Sequence, residues 1–116
     1  MIVTSNMFGD IVTDIAAGLQ GGLGMAAAGN IHPGKVSLFE PVPGSAPQIA
    51  GQGIAYPAAM LRSVALMLRH GLARPDEADA LERAVDAALV EAPTPDLGGT
   101  ATSALMGDAV LRALAS

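Results

Sequence analysis

Apolar side chains recur along this chain every three to four residues, and the pattern predicts four helices. The first runs from Met7 to Leu19, with Asn6 placed to cap it. A second runs from Pro57 to Gly71, a third begins at Pro75, and a fourth spans Ala101 to Leu114. Segments rich in glycine and proline separate the helices, as is typical of helix ends. The sequence therefore predicts a chain that is mainly helical.

Strand signals are weak by comparison. Only Ile2 to Thr4 and Val36 to Phe39 have the composition of short strands, and Ala26 to Gly34 is interpreted as a loop. Two short strands do not form a stable parallel sheet, which needs several strands covered on both faces. We therefore predict an α/β fold that is helix-rich with a few short strands. Residues 1–116 would form one domain that is incomplete alone and is completed by oligomerisation.

Composition narrows the classes of function. The chain has 116 residues, a formal net charge of −5 and no cysteine. An acidic chain lacks the clustered lysine and arginine that nucleic acid requires, and without cysteine it has no disulfide or thiolate chemistry. It shows no signal-peptide pattern, and no apolar run approaches the roughly 18 residues that span a bilayer. We expect a cytoplasmic protein that contacts neither membrane nor nucleic acid.

The segment from Glu40 to Pro57 is the strongest candidate for a ligand-binding loop. Its sequence is EPVPGSAPQIAGQGIAYP. Glycines at positions 44, 51 and 53 permit positive φ and close backbone approach, whereas the prolines fix the path of the chain. A purely structural rigid loop is the alternative interpretation.

Two acidic residues on the first predicted helix are candidates for metal binding. Asp10 and Asp14 are four residues apart and therefore share one helix face. Carboxylates at this spacing repel each other unless a positive charge lies between them, and Mg2+ accepts one or two carboxylates together with other oxygens. Spacing alone favours a solvated helix face. His32 is interpreted as a solvated loop histidine and His70 as a helix-end residue.

Residues Val3 to Asp14, VTSNMFGDIVTD, resemble a segment of the isopropylmalate and isocitrate dehydrogenases, which are β-decarboxylating dehydrogenases. The loop from Glu40 to Pro57 is similar to the cofactor loop of that family, whose usual form is EPVHGSAPDIAGxGIANP. Shorter matches are GGLGM at residues 21–25 and PDLGG at residues 95–99. The resemblance implies an isopropylmalate dehydrogenase-like fold. It also implies that Asp10 and Asp14 ligate Mg2+ or Mn2+ and take part in catalysis by polarising the developing ketone.

The same resemblance implies NAD as a cofactor. In the family, Glu40 would lie near the nicotinamide end, and a backbone cradle would follow it. The implied cofactor-binding residues are Glu40, Gly44, Ser45, Ala46, Gln48, Ala55 and Tyr56. Pro43, Gln48 and Tyr56 stand where the usual pattern has His, Asp and Asn. We therefore expect NAD contacts from side chains to be weakened while the backbone cradle is retained.

The resemblance covers nearly all of this chain but well under half of a family member. The chain lacks the arginines with which the family binds substrate carboxylates, and it lacks the family's Tyr and Lys acid-base pair. The leading hypothesis is a truncated metal- and NAD-binding part of an oxidoreductase acting on malate-type 2-hydroxy acids. A stand-alone cofactor-independent isomerase, lyase, cyclase or small-ligand binder is one alternative, and an inactive partner of a full-length paralogue is another. An apolar stripe through Phe8, Ile11, Ile15 and Leu19 predicts a homo-oligomer or a complementing chain.

Overall fold

The computed structural model describes residues 2–19 and 21–116, and these residues form four α-helices and one two-stranded sheet. The helices are α1 (Asn6–Leu19), α2 (Ala58–Leu66), α3 (Pro75–Glu91) and α4 (Ser103–Ala115). The strands are β1 (Ala27–Asn30) and β2 (Leu38–Pro41). Short 3-10 helices occupy Leu23–Met25, Pro47–Ile49 and Pro95–Leu97, and a π-helical turn, Met67–Gly71, extends α2.

The core lies between α2, α3 and α4, and alanine dominates it. Buried alanines come from all three helices: Ala58, Ala65, Ala78, Ala84, Ala88 and Ala109. Val85 and Met106 are fully buried among them. Because an alanine adds only a methyl group to the helix surface, the helix axes can approach closely and still pack without voids. Met106, Ala109 and Val110 form the buried face of α4.

The start of α3 follows directly from its sequence. Pro75 occupies the first helical turn with Asp76 and Glu77 behind it, as the pattern predicts. Just before the helix, Arg74 hydrogen-bonds the Glu77 carboxylate. That bond, together with a backbone hydrogen bond, lowers the pKa of Glu77 from its ordinary value.

Ion pairs connect α3 to the end of α2. The Arg69 guanidinium, on the π-helical turn, lies 2.7 Å from an Asp79 oxygen and 2.8 Å from a Glu82 oxygen. Arg62 pairs with Asp86 at 2.8 Å further along both elements. The hydrogen bond from Arg69 to Asp79 raises the Arg69 pKa above its usual value. These partly exposed pairs add little stability, because exposed pairs contribute roughly 0–1 kcal/mol.

The two strands form an antiparallel hairpin that sequence reasoning placed incorrectly. β1 lies inside the segment 26–34 that was expected to be a loop, and β2 lies two residues beyond the expected strand 36–39. The register pairs Ala27 with Pro41 and Asn30 with Leu38. Alanine, glycine and asparagine have low strand propensity, so β1 depends on its pairing with β2 rather than on its own composition.

Packing at the hairpin centre explains why this pairing holds. Phe39 lies directly across from Gly29 of β1, and a Cβ built at Gly29 would be 3.1 Å from Phe39 Cδ1. The same ring packs against Gly71, where a Cβ would be 3.1 Å from Phe39 Cε2. Glycine at both positions therefore lets one aromatic side chain join the hairpin to the π-helical turn.

The predicted strand from Ile2 to Thr4 is wrong, since this segment pairs with no strand among the described residues. Ile2 and Val3 are 79% and 84% exposed. A strand needs a neighbour for its backbone groups, and the hairpin lies elsewhere. The segment instead passes close to α1, where Thr4 Cγ2 would be 3.3 Å from a Cβ at Gly9.

α1 buries little of its apolar surface. Ala17 is its buried residue, whereas the predicted stripe is exposed along its length, at Phe8, Ile11, Val12, Ile15 and Leu19. α4 also exposes large apolar residues, among them Leu105, Leu111 and Leu114. Helices with such exposed apolar stripes usually pack against another protein surface. Among the described residues, no helix is long and apolar enough to pass through a lipid bilayer.

Close packing at the buried alanines predicts that the two faces of α3 differ sharply in how much stability a larger side chain costs. Substituting Ala88→Leu inserts extra carbons between helices at a fully buried position and should lower the free energy of unfolding by about 1–3 kcal/mol. Ala87→Leu makes the same change at an exposed position of the same helix and should stay within about 0.5 kcal/mol of the parent. Urea unfolding followed by circular dichroism measures both. Equal midpoints for the two variants would contradict the packing described above.

The Arg74–Glu77 contact predicts a measurable shift in titration. Arg74→Gln should raise the Glu77 pKa towards its ordinary value, as followed by the carboxyl carbon shift in NMR. Because the folded-state pKa is lowered, the contact stabilises the fold above the unfolded-state pKa and that contribution is lost as pH falls through the folded value. Arg83→Gln, which removes an arginine charge from α3 without touching Glu77, serves as the control. A Glu77 pKa unchanged by Arg74→Gln would show that the contact does not persist in solution.

Candidate functional site

Asp10 and Asp14 line one cavity, the acidic cavity, together with the β1–β2 hairpin. Both residues are exposed on one face of α1. The cavity encloses about 780 Å3, and residues 26–30 and 40–44 line it as well. Thr13, on the same helix, donates its hydroxyl to the carbonyls of Gly9 and Asp10. The direction of α1 thus places both acids opposite the strands.

The donor set at this cavity fits a hard divalent cation in part. Carboxylate oxygens from Asp10 and Asp14 are ligands that Mg2+ and Mn2+ accept, and these ions commonly keep several water or substrate oxygens. Residues 2–19 and 21–116 do not bring three or more acidic or histidine side chains close enough to hold a metal by themselves. Glu40 lines the same cavity but does not complete such a group. A metal here would therefore take two protein carboxylates and other ligands from outside the described residues.

A second cavity, the loop cavity, is formed by the loop between β2 and α2. It encloses about 630 Å3. The predicted cofactor residues among its walls are Gly44, Ser45, Ala46, Ala55 and Tyr56. Ala59 and Met60, at the start of α2, close its base. Most of the wall is backbone and small apolar side chain, which suits a flat ligand recognised through main-chain groups.

Gln48 does not face either cavity within the described part of the chain. It lies exposed in the 3-10 turn Pro47–Ile49, and its carbonyl oxygen accepts a hydrogen bond from the side-chain amide of Gln52 at 2.9 Å. The loop turns sharply just before this point, where Ala46 adopts a left-handed conformation with φ 43° and ψ 59°. A non-glycine residue in this region costs of order 1–2 kcal/mol, and such residues cluster at ligand sites.

The loop is fixed at its far end by α4. The backbone amide of Ser103 donates to the Gly53 carbonyl at 2.8 Å, and the Ser103 hydroxyl hydrogen-bonds the Ala55 carbonyl. Gly53 has φ 67°, which lets the chain turn into this contact. Tyr56 then packs against the helical core while lining the loop cavity. The loop is consequently attached to the helical core at its C-terminal end.

The two cavities are neighbours and share three lining residues: Pro41, Pro43 and Gly44. Pro43 and Gly44 follow β2 and form a ridge between the acidic cavity and the loop cavity. One ligand extending across this ridge could reach both the carboxylates of α1 and the backbone of the loop. The grouping of the predicted metal residues and most of the predicted cofactor residues around one ridge supports their assignment, which remains a prediction.

Sequence reasoning missed the part of the site that comes from β1. Asn30 and the small residues before it form one wall of the acidic cavity. The only available signal was negative, because AAAGN lacks the alternating pattern that marks a strand. A polar residue at the end of a run of small residues, facing a cavity, becomes visible only once the hairpin register is known.

Comparison with known proteins places this geometry in a family. A family model described as isocitrate/isopropylmalate dehydrogenase matches residues 1–110. A 3-isopropylmalate dehydrogenase of Deinococcus radiodurans is 51% identical over all of this chain and 33% of its own length. An isocitrate/homoisocitrate dehydrogenase of Thermus thermophilus is 52% identical, over all of this chain and 34% of its own length. The family resemblance read from the motifs is confirmed.

Solved structures agree with the sequence comparison. A crystal structure of isocitrate dehydrogenase from Methylococcus capsulatus superimposes with a TM-score of 0.90 at 45% identity, covering 98% of this chain and 34% of that one. The TT0538 protein from Thermus thermophilus gives a TM-score of 0.90 at 40% identity, with 99% and 24% covered. The chain thus spans about a third of the length of the curated relatives it matches. The expectation of a partial, helix-rich α/β fold is also confirmed, and this chain belongs to the isocitrate/isopropylmalate dehydrogenase family.

Proposed function

We propose that this chain supplies the metal-ligating carboxylates and the dinucleotide loop of a site that oxidatively decarboxylates malate-type 2-hydroxy acids. The remaining groups of the site would come from residues outside these 116. The observation that carries the proposal is the ridge at Pro43 and Gly44, which joins the acidic cavity to the loop cavity. Hydride transfer requires the reacting carbon and the nicotinamide to lie side by side, and two adjoining cavities provide that proximity.

Asp10 and Asp14 would hold the divalent cation and orient it towards the ridge. When bound, such a cation supplies Lewis-acid polarisation of a substrate oxygen. The acidic cavity is lined by no lysine or arginine within the described residues. An anionic substrate therefore needs cationic partners from the metal or from residues outside this chain. This charge imbalance supports a site that is shared rather than self-contained.

The loop would bind the dinucleotide through its backbone. Gly44 and the residues that follow it present amides and small side chains to the cavity, and the Ser103 contacts keep that surface in one shape. A preformed loop lowers the entropy that binding would otherwise cost. Gln48, which is neutral, stands where the usual family pattern has an acid that accepts the adenosine ribose hydroxyls. Affinity for NAD should accordingly rest on backbone contacts.

The exposure of Asp10 and Asp14 supports a shared site over a cofactor-independent isomerase or lyase. An aspartate that acts as a general acid near neutral pH is normally buried. The exposed apolar face of α1 fits contact with a second protein chain both in a shared dehydrogenase site and in an inactive partner of a paralogue. We therefore keep the shared dehydrogenase site as the single proposal.

Metal binding can be tested without turnover. Mn2+ added to the 116-residue chain should broaden the amide NMR signals of residues near Asp10, Asp14 and the end of β1. Asp10→Asn and Asp14→Asn should each weaken binding by about tenfold or more, since each removes one of two charged ligands. Asp108→Asn, which removes a carboxylate from an exposed site on α4, should have no effect. Equal affinities for all three variants would remove the metal assignment.

The cofactor assignment predicts a change in preference at Gln48. Gln48→Asp should raise affinity for NAD by about tenfold, because a carboxylate accepts the ribose hydroxyls more strongly than an amide does. The same substitution should not improve binding of NADP, whose phosphate the new charge repels. Calorimetric titration of the parent and the variant with both nucleotides measures the effect. An unchanged NAD affinity, or equal gains for both nucleotides, would place the adenosine elsewhere.

A further inference from the structure

A third cavity, the basic cavity, lies against the connection between β1 and β2. Basic side chains line it, whereas carboxylates line the acidic cavity. The basic cavity encloses about 470 Å3. Its walls include both histidines of the chain and its single lysine, namely His32, His70 and Lys35. No aspartate or glutamate lines it within the described residues, although the chain has 11 acidic residues against 6 lysines and arginines.

Lys35 differs from most arginines of this chain in having no acidic partner. Four arginines form ion pairs with carboxylates: Arg62, Arg69, Arg74 and Arg112. No carboxylate lies within ion-pair distance of Lys35 among residues 2–19 and 21–116. In an acidic protein, a cation beside two imidazoles with no acid nearby creates a local site for negative charge.

The loop that carries two of these groups is held in a defined turn. The backbone amide of Lys35 donates to the His32 carbonyl at 3.1 Å, and Gly34 provides the positive φ of 74° that the turn needs. The His32 amide donates to the Ser37 hydroxyl oxygen at 3.1 Å. Because that oxygen acts there as an acceptor, the hydroxyl proton remains able to donate to a ligand.

The opposite wall is the π-helical turn Met67–Gly71. The wider turn is closed by the Leu72 amide, which donates to the Met67 carbonyl at 3.0 Å, and it places His70 on the cavity. Phe39, Met67 and Leu72 provide an apolar floor, and the contact of Phe39 with Gly71 fixes that floor in position. π-helical turns occur frequently at functional sites.

We infer that this cavity binds a small organic anion, a carboxylate or phosphate with an apolar body. Lys35, His32 and His70 contact the charged group, and the apolar floor contacts the rest of the ligand. The cavity shares no lining residue with the acidic cavity or the loop cavity. The inference therefore does not depend on the proposed dehydrogenase site.

The test uses the 116-residue chain with phenyl phosphate, benzoate and inorganic phosphate as probes. Phenyl phosphate or benzoate should shift the amide NMR signals of Gly34, Ser37 and Gly71. It should also bind about tenfold more tightly than inorganic phosphate, because burial of a ring adds to the charge contact. Whichever aromatic probe binds more tightly identifies the charged group. Shifts confined to the acidic or loop cavities, or no shifts at all, would overturn the inference.

Matched variants separate a site from general electrostatics. Lys35→Gln should weaken binding of the better probe by about tenfold, the loss expected for one charged contact. Arg83→Gln, which makes the same charge change at an exposed position of α3 outside the cavity, should leave binding unchanged. Leu72→Ser should reduce the preference for the aromatic probe over inorganic phosphate. Equal losses for Lys35→Gln and Arg83→Gln would show that only net charge matters. Because Mn2+ and NAD are expected to contact other residues, a failure of the aromatic probes to bind is distinguishable from a failure of the proposed function.

Discussion

The close approach of α3 to α2 on one side and to α4 on the other, through alanine, is the constraint on which the rest of the structure depends. Ala65 and Ala88 are fully buried where helices meet, so no larger side chain holds the axes apart. α2 supports the hairpin and the end of the loop, whereas α4 holds Gly53 and Ala55 through Ser103. A change in helix spacing would therefore move both walls of the loop cavity, although these alanines themselves lie in the helix core.

Helices were predictable from this sequence because each carries its own signals. Pro75 followed by two acids marks the start of α3, and the apolar period marks its buried face. The strands carry no such signal. β1 is made of residues with low strand propensity and depends on its pairing with β2, in which Gly29 lies opposite Phe39. Long-range pairing of this kind cannot be read from local composition.

The candidate site shows the same division. Asp10 and Asp14 share a helix face by spacing alone, and the loop is marked by its glycines and prolines. Which residues face which cavity was not accessible, because it depends on the hairpin register and on the left-handed turn at Ala46. Gln48 illustrates the point, since its place in the motif implies a contact with the cofactor but does not say that its side chain is exposed in the 3-10 turn Pro47–Ile49.

The alternation of β2 explains how two cavities of opposite charge lie so close together. Successive residues of a strand point to opposite faces, and Phe39 lines the basic cavity whereas Glu40 lines the acidic one. A shift of the register by one residue would exchange these faces and bring Glu40 towards Lys35. The contact of Phe39 with Gly29 and Gly71 opposes that shift, because a Cβ at either glycine would come within 3.1 Å of the ring and would make the ring move. Packing of one aromatic side chain thus helps to keep Glu40 and Lys35 on separate cavities.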